Sequence, residues 1–195
     1  MAYHHGNLRS AILIRAEEVL TTNGVDAITL RSLARDLAVS HSAPSKHFAD
    51  RNALLDALAA DGFERLNHEL TTTAAGNDTF DRRLHATAHA YMHFAGTHPR
   101  LLALMYARKH TAAESVVQAA ADSCARTLLT LLTDGDAPVD DPERFGIIML
   151  ACLQGIAGLA AGDGLPPGYD ADALATDAVE RLVRGSESGR QQTSR

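Results

Sequence analysis

Apolar residues recur at helical intervals along nearly the whole chain, and the pattern breaks where glycine, proline or asparagine stands. From Asn7 to Asn23 the stripe is Leu8, Ile12, Ala16, Val19 and Leu20, and Asn23-Gly24 supplies a left-handed stop, so a first helix is predicted there. Thr29 then offers a hydroxyl cap to a second helix carrying Leu30, Leu33, Ala34 and Leu37 on one face, with Arg31 and Arg35 on the other. After Ala38-Val39, Ser40 is a second candidate N-cap, and a short helix over 41–47 ends where Phe48 returns to the core. Counted from Ser40, Pro44 falls at the fourth helical residue, where it deletes only the earliest intrahelical bond and can staple onto Val39. Beyond Asp50 the periodicity predicts helices over about 50–73, 79–96, 99–107, 112–132, 142–161 and 171–184. Pro99 and Pro142 sit at first helical positions, where a missing N–H matters least. No alternating run is long enough for a strand and no internal repeat is found, so the fold class is all-α. The expected organisation is a three-helix head at 1–49, a larger helical domain at 50–184 and a disordered tail at 185–195.

Two short helices joined by a tight turn, the second of them polar, form a helix-turn-helix suited to double-stranded DNA. A major groove about 12 Å wide admits one helix, whose first side chains meet base edges while hydroxyls, cations and N–H groups fix phosphates. Thr29, Arg31, Ser40, Ser42, Lys46 and His47 are the candidates for phosphate contact or positioning, and His41, Ser42 and Ala43 those for base edges. The arm at Tyr3 and His4 could reach a phosphate or a minor groove, or remain an unstructured tail.

Composition changes this picture in one respect. The net charge of −6 over 195 residues argues against a polyanion partner, yet residues 1–51 hold six Lys or Arg against five Asp or Glu, a balance of +1 that leaves −7 on the rest. His4, His5, His41 and His47 add charge on approach to phosphate, because an anion raises the pKa of an imidazole. With 46% hydrophobic residues, no apolar run of eighteen and no secretory pattern at the amino terminus, the expectation is a globular cytoplasmic protein without a membrane partner. Cys124 and Cys152 are too far apart in helical patterns to define a zinc ribbon or a disulfide scaffold and are expected as buried, reduced thiols.

The residues from Thr29 to Ala34, with Val39-Ser40 and His47-Phe48, resemble the TetR-type transcriptional regulators, whose signature runs T-x-x-x-[IL]-A, V-S and H-F. Asp50, Arg51, Leu54 and Leu55 match the D-[KR]-x-x-L-L that opens the family's connecting helix, and residues 3–9 resemble one branch of it. The family has Gly where Ala38 stands, a place suited to positive φ, so Ala costs about 1 kcal/mol if that geometry is kept. It has Leu-Tyr at Pro44-Ser45, so Ser45 is a shorter replacement for a tyrosine that commonly touches phosphate. Residues 91–106 and 151–165 resemble the carboxy-terminal domain of the branch named for a Trp-His-Gly motif; Gly155 is kept, Gln154 replaces the His, and the chain has no Trp. The resemblance implies a dimeric repressor of a palindromic operator, released by a small-molecule effector, whose last two long helices pair with their copies. The interface residues it points to are Gly155, Gly158, Leu174, Ala178 and Leu182.

Two further clusters carry possible chemistry. His89, Tyr91, Met92, Phe94, Met105, Tyr106 and His110, with Gln154 as a polar member, could line an apolar effector pocket. His85, His89 and His93 recur every four residues, but three imidazoles along one helix do not converge on a single ion, so no metal and no cofactor is expected. Neither a nucleophile elbow, a phosphate loop nor H-E-x-x-H is present, and Asp140-Asp141 reads as a cap before Pro142, so the chain is not expected to be an enzyme. The alternatives left open are a helical protein-interaction module and a metal-binding protein built on the histidine stripe.

Overall fold

The structure, a computed structural model, describes residues 8–76, 79–109, 116–133, 139 and 141–193, with backbone alone at Lys109, Thr133 and from Glu187 onward. Its helices are α1 (Leu8–Asn23), α2 (Leu30–Asp36), α3 (Arg51–Ala74), α4 (Phe80–Thr97), α5 (Pro99–Lys109), α6 (Val116–Thr133), α7 (Pro142–Ala161) and α8 (Ala171–Thr193). Two 3-10 turns, Val25–Ala27 and Pro44–Lys46, complete the regular structure, and there is no strand among the described residues. The fold is all-α.

Caps set several of the boundaries. Thr29 Oγ1 accepts from Ser32 N–H at 3.0 Å while Ser32 Oγ accepts from Thr29 N–H at 3.3 Å, a reciprocal capping box that starts α2. Asp50 accepts from Ala53 N–H at 2.8 Å before α3, and Asp141 from Arg144 N–H at 3.0 Å, with Pro142 at the first helical position of α7. Thr79 plays the same part for α4. Where both lie among the described residues, the expected starts and ends of the long helices hold to within a residue or two, except at α8, whose helical backbone continues to Thr193 rather than stopping at 184. Glycine lowers helix propensity by only about 1 kcal/mol, so Gly185 and Gly189 do not end a helix that its neighbours favour. Residues 110–115, expected to include the start of the sixth helix, lie outside the described residues.

Backbone contacts divide the chain into two compact units: the described residues through Glu64 together with Arg100–Ala121, and Arg65–Pro99 together with the described residues from Asp122 on. The first is organised on Ile12, Ala16 and Leu20 of α1, Ile28, Leu33 and Ala34 around α2, and Leu54 and Leu58 of α3, all essentially inaccessible to solvent. Within it α3 and α5 approach closely at Gly62, where a Cβ would lie 2.7 Å from the Sδ of buried Met105. In the second unit α4, α7 and α8 pack on one another, with Leu84, Phe94, Met149, Leu153, Ala175 and Val179 interior and Phe80 against Phe145 at 6.2 Å between ring centroids. Cys124 is buried and Cys152 half-buried, and neither forms a disulfide among the described residues.

Candidate nucleic-acid interface

The segment expected to enter a groove is positioned by the end of α2. Ala38 has φ 53°, in the left-handed region, and its N–H bonds the carbonyl of Arg35 at 3.1 Å while Val39 N–H bonds that of Ala34 at 3.0 Å. This is a Schellman ending with alanine where glycine is usual, and it satisfies carbonyls that a helix terminus leaves open.

The second helix of the motif departs from its expected form. Ser40 to Ala43 make a turn, with Ala43 N–H on the Ser40 carbonyl at 2.9 Å, and Pro44–Lys46 follow as a 3-10 turn rather than as part of a regular α-helix. Pro44 is the cause. Lacking an N–H, it cannot bond the Ser40 carbonyl, which takes the donor one residue earlier instead. Lys46 N–H to Ala43 and His47 N–H to Pro44 continue the tight pattern at 3.2 and 2.9 Å, and only Phe48 N–H to Pro44, at 3.0 Å, spans four residues. Ser40 is correspondingly not an N-cap: its hydroxyl lies 3.4 Å from that of Ser42, and the residue preceding the 3-10 turn, Ala43, makes no side-chain cap.

Pro44 and Phe48 are buried on one side of this segment, and His41, Ser42, Ser45, Lys46 and His47 are exposed on the other with Ser40; Ala43 is half-buried. Thr29 is exposed, but its hydroxyl is already committed to the α2 cap. Arg31 is exposed on α2 and makes no ion pair among the described residues.

Of the six cations counted toward this region, three are used internally. Arg15 bonds Glu18 at 2.8 Å and Asp36 at 2.9 Å, tying α1 to the end of α2, and these carboxylates, Glu18 foremost, hold the guanidinium's pKa above its ordinary value. Arg51 donates to the carbonyls of Ile28 at 2.8 Å and Val25 at 2.7 Å, clamping the link between α1 and α2. Arg9 lies 5.5 Å from the centre of the Phe48 ring, a cation–π distance. Arg31, Arg35 and Lys46 are left for an anion outside, and of these Arg35 has only Asp36 at 3.8 Å. The charge count could not reveal this in full, because Asp36 and the carbonyls of Val25 and Ile28 are brought near by folding, although Glu18 stands only three residues beyond Arg15.

The other expected sites divide between the units. Tyr91, Met92 and Phe94 are buried, Gln154 half-buried and His89 exposed in the second, whereas Met105 is buried and Tyr106 half-buried against Phe63 in the first; His110 lies outside the described residues. Thr87, one turn before Tyr91, is 1% exposed with a hydroxyl that has no hydrogen-bond partner among the described residues, and periodicity alone gave it no prominence. The rings of His89 and His93 stack at 6.5 Å, and Glu69 of α3 lies 3.5 Å from Nδ1 of His93, an acidic neighbour invisible in the local sequence. Even so, no group of three potential ligands converges on a metal position among the described residues.

Gly155 and Gly158 are exposed, with open space where a Cβ would be, and Leu174, Ala178 and Leu182 are half-buried. Beside them Ile147, Ile148 and Leu159 of α7 are 63%, 39% and 52% exposed. The sequence reading missed these, although the run FGIIML is more apolar than one buried face requires. The most apolar 18-residue stretch of α7 has a mean hydropathy of 1.7, within the range of a membrane span, but the helix carries Glu143 and Arg144 and packs on α4 and α8.

Residues 84–182 match the family model of the tetracycline-repressor-like carboxy-terminal domain. The tetracycline repressor protein class D of Escherichia coli is 35% identical over 68 residues, which is 35% of this chain and 31% of the repressor, so the match spans about a third of that relative's length. Among solved structures, a protein of unknown function from Rhodococcus sp. RHA1 is 42% identical, with a TM-score of 0.86 over 96% of this chain and 99% of that one. PfmR, a TetR-family transcriptional regulator of Thermus thermophilus, shares the fold at 18% identity, with a TM-score of 0.68 over 89% and 97% of the two chains.

Proposed function

The chain belongs to the TetR family, and from that premise we propose that it is a dimeric transcriptional regulator, a repressor, that binds a palindromic DNA operator and is released from it by a small molecule. The observation that carries this reading is the polar edge at Ser40–His47, held outward by buried Pro44 and Phe48. In the reading, Arg31, Ser40, Ser42, Ser45, Lys46 and His47 meet phosphates, and His41, Ser42 and Ala43 face base edges. Thr29 acts through the α2 cap, since its hydroxyl is engaged there. The bent path of residues 40–48 gives a shorter probe than a regular helix, so contacts concentrate on few base pairs and phosphate positioning supplies most of the affinity.

Repression by a dimer needs two such heads about 34 Å apart, one turn of duplex. The exposed apolar residues of α7, the open glycines and the half-buried strip of α8 favour pairing of these two helices with their copies. The effector would enter the second unit, where buried Thr87 of α4, whose hydroxyl has no hydrogen-bond partner among the described residues, stands one turn before buried Tyr91. A displacement of α3 would then alter head spacing, and about 1–3 kcal/mol of preference for one spacing suffices.

Selection of bound duplexes from a random pool tests the central claim. Enrichment of an inverted repeat is expected; recovery of unrelated sequences with no shared motif would overturn it.

A further inference from the structure

In the first unit an open cleft of about 510 Å³ is lined by Leu20, Val25, Leu55 and Leu104 and edged by the guanidinium groups of Arg51, Arg100 and Arg108. Its volume falls within the roughly 300–1,000 Å³ usual for small-molecule sites. The arrangement is more than an apolar hollow, because the positive charge on its wall is incompletely matched. Arg108 is paired with Asp56 at 2.7 Å. Arg51 has Asp26 at 3.9 Å, but that carboxylate is fully exposed and the pair is correspondingly weak. Arg100 is held by a backbone carbonyl, that of Leu20, at 3.2 Å.

We propose that this cleft is a binding site for an anionic amphiphile, a carboxylate or phosphate head on a hydrocarbon tail, separate from the effector pocket placed in the second unit. Arginine's planar fork suits both head groups. The aliphatic wall takes the tail, and no acidic or aromatic cage favouring a cation is present among the lining residues, whose one carboxylate is the exposed Asp26. The site also has a route to the interface, since Arg51 and Arg100 grip the carbonyls of Val25, Ile28 and Leu20, which end α1 and lead into α2. An anion drawing on the same guanidinium groups alters that grip, so occupancy adjusts how firmly the DNA-facing segment is braced.

The test uses the full chain and dodecanoate or dodecyl phosphate below their micelle concentrations, titrated calorimetrically. Dodecyltrimethylammonium and dodecyl maltoside serve as cationic and neutral controls, and acetate as a head without a tail. The expectation is one site per chain for both anionic amphiphiles, at least about tenfold tighter than either control. Arg100→Gln removes charge, at the cost of a lower Tm because the bond to the Leu20 carbonyl goes with it, and Ala107→Phe fills the cleft from an exposed position while leaving the circular dichroism spectrum and Tm of the unliganded protein in place; each should lower the affinity by about tenfold or more. Equal binding of cationic and anionic probes, or unchanged affinity in both variants, overturns the proposal. Either result leaves duplex selection by the unliganded protein untouched, so the two readings fail separately.

Discussion

At Ala38 the backbone sits at φ 53°, where a Cβ crowds the following carbonyl, and the family's glycine would relieve it. Both Schellman bonds are nevertheless made, so the strain is carried by the turn and not released. Ala38→Gly is expected to raise stability by about 1 kcal/mol, roughly 2–4 °C in Tm for a chain of this size at fixed protein concentration, as read by thermal denaturation. Loss of the reciprocal cap runs the other way: Thr29→Ala should cost about 1 kcal/mol. It should also weaken DNA binding more through disorder of α2 than through a lost phosphate contact, so rescue by Thr29→Ser is the informative comparison. Ala38 and Thr29 were legible in the sequence because each acts on its own neighbours. Arg51 was not: it entered the charge balance of the head and matched the opening of the connecting helix, whereas folding commits it to the carbonyls of Val25 and Ile28.

Among the elements, periodicity located the long helices because each buries a stripe that repeats over several turns, as Leu54, Leu58 and Leu66 do along α3. The stretch after Ser40 is too short for any period to decide, and a single missing donor at Pro44 converts it from a helix into a turn and a 3-10 segment. The surface it presents survives that change, since burial of Pro44 and Phe48 fixes which side faces out. Lys46→Ala should therefore weaken binding to matched and unmatched duplexes by similar factors and lower the salt slope of the affinity by about one, as a phosphate contact does. A change confined to one base position would reassign Lys46 to base reading. The α3–α5 contact is a separate matter of space. Gly62→Val sets branched carbon against Met105 Sδ and Leu101, and overpacking of this kind costs about 1–3 kcal/mol in denaturant titration.

For the whole molecule, the exposed apolar side of α7 is the feature most in need of a partner. Ile147, Ile148 and Leu159 are large aliphatic groups left in water, while Met149, Leu153 and Ala157 of the same helix are buried. A helix that is apolar on two sides matches a subunit interface, because the second side gains burial only when another copy arrives. Small residues at Gly155 and Gly158 let a neighbouring backbone come close, and no described residue of the subunit occupies the space beside them. The surface proposed for pairing was half legible: the glycines and the α8 strip could be marked by size and spacing, whereas Ile147 and Ile148 stand in an apolar run whose pattern does not show which side the fold turns outward. Ile147→Asp is the discriminating change. In an isolated chain it replaces an exposed group and should alter stability by no more than about 0.5 kcal/mol. In a dimer it places two carboxylates in an apolar contact, so sedimentation should show monomers at concentrations where the parent is dimeric. Operator affinity should fall with it, because a single head forfeits the second half-site while keeping its own phosphate contacts. If the variant stays dimeric and binds an inverted repeat like the parent, the pairing surface lies elsewhere and the exposed side of α7 serves another contact.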